Sequence, residues 1–369
     1  MNVSSARLGR WHGSVAGRAA SFVALVLVVL FGWAAPASAH GLSGPQPTNY
    51  VTRITALTPH VAAVSVRVID LGNRIELRNA SRHVVTVLGY QGEPYLRLGP
   101  QGVWRNQRSP ATFLNRTTLL TAPAPPSYSA SAPPDWRQIS SGTVVRWHDH
   151  RTHWMAPSAP AVVQHDPGRR HVVLRWSLAL RIDARPAILT GEVVWVPGPA
   201  PWPWAGLALL VAVSVALVTR IRPTWCWVLA VLVAGETAAV AHGVAAWDFS
   251  TASLPSRIGL VAYDAAALAT GLLAGWATVR HRSLYRVSPP LLLAGVVLAI
   301  GVGGANVMSL FRSQLPSVFS AGAVRALVAA AIGIGVGLLV TGATHLRSQG
   351  PAPPIRAERA AAAGRVSAS

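Results

Sequence analysis

This chain has almost no cysteine and no lysine. Of its 369 residues one is a cysteine, Cys226, and all 32 basic residues are arginine. A single cysteine near a membrane boundary excludes an internal disulfide, and it excludes a blue-copper site in the exported domain described below. Acidic residues number only 12, so the formal net charge is +20. In a soluble protein that charge would indicate nucleic-acid binding, but here many arginines fall beside apolar spans, and no nucleic-acid partner is expected.

Motifs of common catalytic machinery are also missing. The sequence contains no G-x-S-x-G elbow, no phosphate-binding P-loop and no H-E-x-x-H zinc motif. Apolar residues, by contrast, are abundant, at 51% of the chain, and they form long runs in its second half. The composition therefore favours a membrane protein over a soluble enzyme of a motif-defined class.

Residues 1–39 have the features of a secretory signal peptide. An arginine-containing leader precedes an apolar run over Phe22–Trp33. The run is short for a membrane span, and the small residues Ala37–Ala39 that follow it form a cleavage signal. Cleavage there makes His40 the first residue of an exported domain; an uncleaved membrane anchor is the alternative.

Residues 40–197 are predicted to form an all-β, sandwich-like domain outside the cytoplasm. Val64, Val66 and Val68 alternate with polar or small residues, as in a half-buried strand. Later strands are predicted at Thr143–Trp147, His171–Ile182 and Ile188–Val196. Short strands at this spacing, separated by turn residues, are typical of a β-sandwich.

Apolar spans dominate the remainder of the chain. After a proline-rich linker at 198–203, residues 204–345 are predicted to form an all-α bundle of five transmembrane helices. The spans are Trp204–Thr219, Trp225–Ala246, Ile258–Val279, Leu291–Met308 and Val318–Thr344. Most of them are long enough to cross about 30 Å of hydrocarbon. The tail at 346–369 is rich in Ala, Pro and Arg and is predicted to be disordered.

The placement of arginines predicts the orientation in the membrane. Arginines cluster after the first, third and fifth spans, whereas the connections after the second and fourth carry only Arg257 and Arg312. Basic residues concentrate on the cytoplasmic side of membrane proteins. We therefore expect a multi-pass protein of the plasma membrane with the β domain outside and the C-terminus in the cytoplasm.

The most distinctive motif is W-H-D-H-R-T-H-W-M at Trp147–Met155. Its three imidazoles, with the thioether of Met155, suit a soft or borderline metal, above all copper. On a strand His148 and His150 would share a face and His153 would point away, so no single regular element gathers all three. A strand that ends near His150 and then turns would bring them together. The motif therefore predicts a copper or similar metal site.

Charged neighbours and the predicted new N-terminus would also affect metal binding at this site. Asp149 would be a ligand or would orient an imidazole, whereas Arg146 and Arg151 would repel a cation. His40 is a further candidate ligand, because its free amine and imidazole, with one more histidine, would make a three-nitrogen copper chelate. The alternative without metal is a polar strand end whose tryptophans pack into the core.

Four ionisable residues fall inside the predicted spans: Glu236, His242, Asp264 and Arg325. Such groups are costly in a bilayer and usually face a partner or a cavity. An ion pair of Arg325 with either Asp264 or Glu236 would give them a structural role. A role in transport is the alternative, and the sequence does not separate the two.

Several stretches together resemble a group of actinobacterial membrane proteins of uncharacterised function: Pro47–Val51, Gly89–Arg97, Trp147–Met155 and Trp195–Pro199. The resemblance implies a signal peptide, an outer β domain and a helical membrane part, and it brings no activity. The architecture is also loosely similar to periplasmic copper-binding domains joined to copper-resistance membrane proteins, where a histidine follows the signal peptide. That similarity implies copper as the ligand.

The sequence thus predicts an integral membrane protein whose outer domain binds or handles copper at the cell envelope. The expected partners are the lipid bilayer, a metal ion and other envelope proteins. Two alternatives remain open: a metal-free structural or interaction protein, and a copper oxidase that uses His40.

Overall fold

A computed structural model of the chain describes residues 45–116, 123–222 and 224–347. The predicted signal peptide, His40 and the tail after residue 347 lie outside the described residues. The strands within them are β1 (Tyr50–Thr58), β2 (Val64–Ile69), β3 (Arg74–Asn79), β4 (Val85–Leu88), β5 (Pro94–Gly99), β6 (Gly102–Asn106), β7 (Trp136–Ser140), β8 (Val144–Trp147), β9 (His171–Ile182) and β10 (Arg185–Trp195).

These strands form two antiparallel sheets. The larger has seven strands in the order β1-β10-β9-β4-β5-β6-β7, and the smaller has three in the order β2-β3-β8. Completely buried side chains from both sheets, among them Ile75, Leu77, Leu178 and Leu189, belong to one hydrophobic cluster. The prediction of an all-β domain before the helices is confirmed at this level.

The predicted strands agree closely with the observed ones. β9 has the predicted bounds, and β8 begins one residue later than expected, at Val144. β10 begins at Arg185 rather than Ile188, even though Pro186 cannot donate to a strand ladder. The proline is tolerated because β1 pairs with β10 only from Ile188 onward, so Pro186 has β9 alone as a neighbour.

Helices make up the second half of the chain. The short helices α1 (Pro110–Leu114) and α2 (Ala161–His165) lie within the β domain, and the long ones follow it. They are α3 (Trp202–Ile221), α4 (Trp225–Phe249), α5 (Leu254–Leu260), α6 (Ala262–His281), α7 (Leu284–Val296, continued as a π-helix over Val297–Gly304) and α8 (Ala321–Arg347).

Four of these helices are long and apolar enough to cross a membrane: α3, α4, α7 with its continuation, and α8. The pair α5 and α6, bent by 52° at Val261, makes a fifth if it is one span. The fourth span begins at Leu284 rather than at the expected Leu291, despite Pro289 and Pro290 inside the helix. The chain is therefore consistent with a multi-pass membrane protein of four or five spans.

The β domain rests on one end of the helical bundle. Asp70 hydrogen bonds to Thr251 in the connection between α4 and α5. Thr48 pairs through its backbone with Gln314 in the connection before α8. These two connections contain few arginines. The C-terminal turns of α3 and α6, in contrast, carry arginines.

Candidate functional site

The three histidines of the motif converge. β8 ends at Trp147, and the chain then enters a 3-10 turn over His150–Thr152. The ring centre of His148 lies 4.6 Å from that of His150 and 4.6 Å from that of His153. One candidate ligand atom from each residue lies within 4.8 Å of the others. The prediction that a strand end and a turn gather these imidazoles is confirmed.

Asp149 holds the turn in place. Its carboxylate accepts hydrogen bonds from the indole of Trp147 at 3.1 Å and from the backbone and side chain of Arg151. Its carbonyl accepts the amide and the hydroxyl of Thr152. Asp149 is fully buried, and these partners occupy its carboxylate. It therefore shapes the loop that carries the histidines, and an imidazole is not among the described partners of its carboxylate.

The two arginines that would repel a cation each have a carboxylate partner. Arg151 forms an ion pair with Asp149 at 2.8 Å and stacks on the ring of Tyr90. Arg146 forms an ion pair with Glu76 at 2.6 Å. Glu76 also pairs with Arg67, so it is shared between two arginines, whereas Asp149 pairs with Arg151 alone among the described ion pairs.

Main-chain carbonyls determine which nitrogen of two rings carries a hydrogen. The Nδ1 atom of His148 lies 2.6 Å from the carbonyl oxygen of Asn73, and the Nε2 atom of His150 lies 3.0 Å from that of Leu114. A carbonyl only accepts, so these two nitrogens carry the hydrogen and donate. In the neutral tautomer that these contacts select, the lone pairs are on Nε2 of His148 and Nδ1 of His150. Metal-binding histidines are commonly held in this way by an outer acceptor.

The free nitrogens find no ordinary partner among the described residues. Nε2 of His148 and Nδ1 of His153 are buried without a hydrogen bond. Nδ1 of His150 faces the sulfur of Met155 at 3.5 Å. The sulfur of Met155 therefore lies beside the free nitrogen of His150, in a cluster where one candidate ligand atom from each histidine lies within 4.8 Å of the others.

Burial keeps two of the rings neutral. Desolvation lowers the pKa of His148 to about 4, against a smaller opposing effect of the hydrogen bond to Asn73. Desolvation also lowers the pKa of His153 to about 4, and the neighbouring His148 and His150 lower it further. Both imidazoles are therefore unprotonated at neutral pH, which is the form that binds a metal.

The cluster lies beside an open groove of about 490 Å³. His150, His153 and Met155 line it from the motif, and Leu174 and Trp176 line it from β9. Arg151 and Arg175 line it as well, so the groove connects the cluster to solvent through an opening that carries two guanidinium groups beside its apolar side chains.

The predicted ion pairs of Arg325 are wrong. Its guanidinium donates to the carbonyl oxygens of Ser309 at 3.1 Å and Arg312 at 2.7 Å. Arg325 lies near the start of α8, beside the connection that precedes it, and the free carbonyls of that connection satisfy its donors. Asp264 instead pairs with His242, with 3.0 Å between Oδ1 and Nδ1.

Glu236 lies apart from that pair. Both of its carboxyl oxygens are buried without a hydrogen-bond partner among the described residues. The carboxyl contacts α6 at Gly271, where a side chain would collide with it. The intramembrane residues thus form one His–Asp pair, one isolated acid and one arginine bound by carbonyls, and no metal-ligand cluster appears among them in the described part.

Sequence reasoning missed the residues that orient the imidazoles. Asn73 and Leu114 act through their carbonyl oxygens, which every residue type has, so no side-chain pattern marks them. Tyr90 was also unassigned; its hydroxyl accepts the amide of His150 at 3.2 Å. The stretch Gly89–Arg97, which is rich in turn residues and aromatics, is the only sequence signal that pointed near it.

Comparison with known proteins found no matching family model, no similar curated protein and no similar solved structure. The resemblance to actinobacterial membrane proteins and the looser similarity to copper-resistance proteins therefore remain predictions.

Proposed function

We propose that the β domain binds a transition-metal ion, copper above all, through His148, His150 and His153. The observation that carries the proposal is the convergence of the three imidazoles: one candidate ligand atom from each lies within 4.8 Å of the others, and two ring nitrogens are buried without a partner. A buried polar atom without a hydrogen bond costs on the order of 1–3 kcal/mol. A bound ion would satisfy all three nitrogens at once.

The donor types favour copper among the available metals. Imidazole nitrogen suits copper, zinc and nickel, and affinity for such donors peaks at copper. Met155 adds a soft sulfur at 3.5 Å from the free nitrogen of His150. Calcium and magnesium prefer several oxygen ligands, and the one carboxylate inside the motif, Asp149, is already bound to Arg151.

We also infer that this site faces the outside of the cell. A signal peptide at residues 1–39 would export the β domain, whose two sheets would then form a sandwich at the outer face of the membrane. The two connections that contact this domain carry only Arg257 and Arg312 near them, and the arginine-rich ends of α3 and α6 lie away from it. The positive-inside rule then assigns the C-terminus to the cytoplasm of a plasma-membrane protein.

Equilibrium dialysis of the full-length protein in detergent tests the proposal. The parent should retain about one copper ion per chain at micromolar copper. The variant with His148→Ala, His150→Ala and His153→Ala should lose that ion. A matched control changes three histidines outside the cluster, His60→Ala, His83→Ala and His165→Ala, and should retain the ion. Equal copper retention by the cluster variant would place the copper site elsewhere in the chain, and no retention by the parent would leave the metal-free structural role.

A further inference from the structure

The candidate donors carry no net charge. The three imidazoles offer neutral nitrogens, and Met155 offers a neutral thioether. The nearest carboxylate, that of Asp149, is fully buried and bound to the guanidinium of Arg151 at 2.8 Å. An ion that enters the cluster therefore keeps its whole positive charge.

Burial makes that charge matter. The rings of His148 and His150 are 8% and 5% exposed, so an ion that binds between them exchanges part of its hydration shell for their nitrogens. The electrostatic cost of moving an ion out of water grows with the square of its charge, so a divalent ion costs about four times as much as a monovalent one of equal size. A neutral, buried donor set therefore disfavours divalent ions relative to Cu(I).

The position of Met155 fits a bond to the same ion. The sulfur lies 3.5 Å from Nδ1 of His150. With bonds of about 2.0 Å to nitrogen and about 2.3 Å to sulfur, that separation corresponds to an angle of about 109° at the metal, the tetrahedral value. Thioether sulfur selects Cu(I) over harder ions.

The three imidazoles lie close together, but their nitrogens are farther apart than in a formed metal site. Their candidate ligand atoms lie within 4.8 Å of one another, whereas nitrogens bound to one tetrahedral ion are about 3.3 Å apart. The rings must therefore rotate inward as an ion binds. Nδ1 of His153 is buried without a hydrogen bond, so the lone pair of that nitrogen is available to an ion.

We propose that the site, if it binds metal as argued above, is selective for Cu(I), with His148, His150, His153 and Met155 as the four donors. The ion arrives already reduced, and binding involves no electron transfer. Cu(II) and Zn(II) would be bound less tightly, because each brings a second charge that no ligand compensates.

Competition under reducing, oxygen-free conditions tests this selectivity on the full-length protein. Cu(I) is titrated against the chelator bicinchoninate, and Zn(II) and, without reductant, Cu(II) are titrated against chelators of known affinity. The parent should bind Cu(I) at least about tenfold more tightly than Zn(II). Equal or tighter binding of Zn(II) or Cu(II) would overturn the Cu(I) assignment and leave the metal site standing. Binding of none of the three ions would overturn the metal site as well.

Met155→Leu tests the sulfur donor. The change removes the thioether and keeps a side chain of similar volume, so Cu(I) affinity should fall by roughly tenfold and Zn(II) affinity should change little. Met308→Leu is the matched control, because Met308 is the other described methionine and lies half exposed far along the chain. Unchanged Cu(I) affinity in folded Met155→Leu would remove Met155 from the site. The ion comparison in the parent requires no variant, so it decides the assignment even if Met155→Leu fails to fold.

Discussion

Asp70 of the β domain accepts two hydrogen bonds from Thr251 of the helical part, from its amide at 3.2 Å and from its hydroxyl at 2.7 Å. Arg74 adds a bond to the carbonyl of Thr251 at 3.0 Å. The same short segment reaches the histidine cluster, because Asn73 accepts the bond from His148. One turn of chain thus contacts both the candidate metal site and the end of α4.

Thr251→Val should loosen this junction. The change removes the hydroxyl donor and leaves the Asp70 carboxylate with one bond fewer, which costs about 1 kcal/mol or somewhat more for a charged acceptor. Thermal unfolding of the full-length protein in detergent should show a lower midpoint. Thr270→Val is the control, because the Thr270 hydroxyl bonds only within its own helix. Equal midpoints for the two variants would show that the junction bond contributes nothing.

The stability of the metal-free protein should depend on the cluster histidines in acid. In the folded protein the pKa of His148 and of His153 is about 4, below the ordinary 6.5 of an unfolded chain. Between these values the unfolded state binds more protons, so the free energy of unfolding falls as the pH drops from 6.5 towards 4. The loss is on the order of 3 kcal/mol for each histidine.

Denaturant unfolding at a series of pH values measures the slope of the free energy of unfolding against pH. His148→Ala should reduce it, because one of the two titrating groups is gone. His60→Ala, an exposed histidine outside the cluster, should leave it unchanged. A slope that is the same in His148→Ala and in the parent would mean that burial of His148 does not control the acid response.

The two membrane acids should respond differently to amide substitution. Asp264→Asn removes the charge that His242 faces at 3.0 Å, so the folded fraction should fall. Glu236→Gln replaces a carboxyl that has no hydrogen-bond partner in the described part of the chain, so it breaks no bond and should fold like the parent. The monodisperse fraction in size-exclusion chromatography compares the two. Equal losses of monodisperse protein in the two variants would contradict a structural role that belongs to Asp264 and not to Glu236. A change at Arg325 should restore the folded fraction of neither variant.

The orientation in the membrane can be tested by labelling from outside whole cells. In a background with Cys226→Ser, a membrane-impermeant thiol reagent should modify a cysteine placed at Asp248 and should not modify one at Arg282. The expectation follows from arginine asymmetry and from the position of Asp248 at the end of α4 next to the β domain. Labelling of position 282 alone would reverse the topology.

The sequence predicts the local elements of the fold and of the site, but not the distant partners of the site residues. β9 and the gathering of the three imidazoles follow from local patterns, namely strand alternation and a turn after β8. The partners of His148 and His150 do not, because they are carbonyl oxygens 75 and 36 residues away along the chain. The partners of Arg325 are main-chain carbonyls rather than the expected carboxylates for a similar reason: a guanidinium donates to any nearby oxygen, and packing alone decides which one.

Copper X-ray absorption on the loaded full-length protein reports the atoms bound to the ion. Scattering from three imidazole rings is expected in the parent and from two in His153→Ala. An oxygen-only shell, or a spectrum that His153→Ala leaves unchanged, would contradict the claim that His148, His150 and His153 bind one metal ion together.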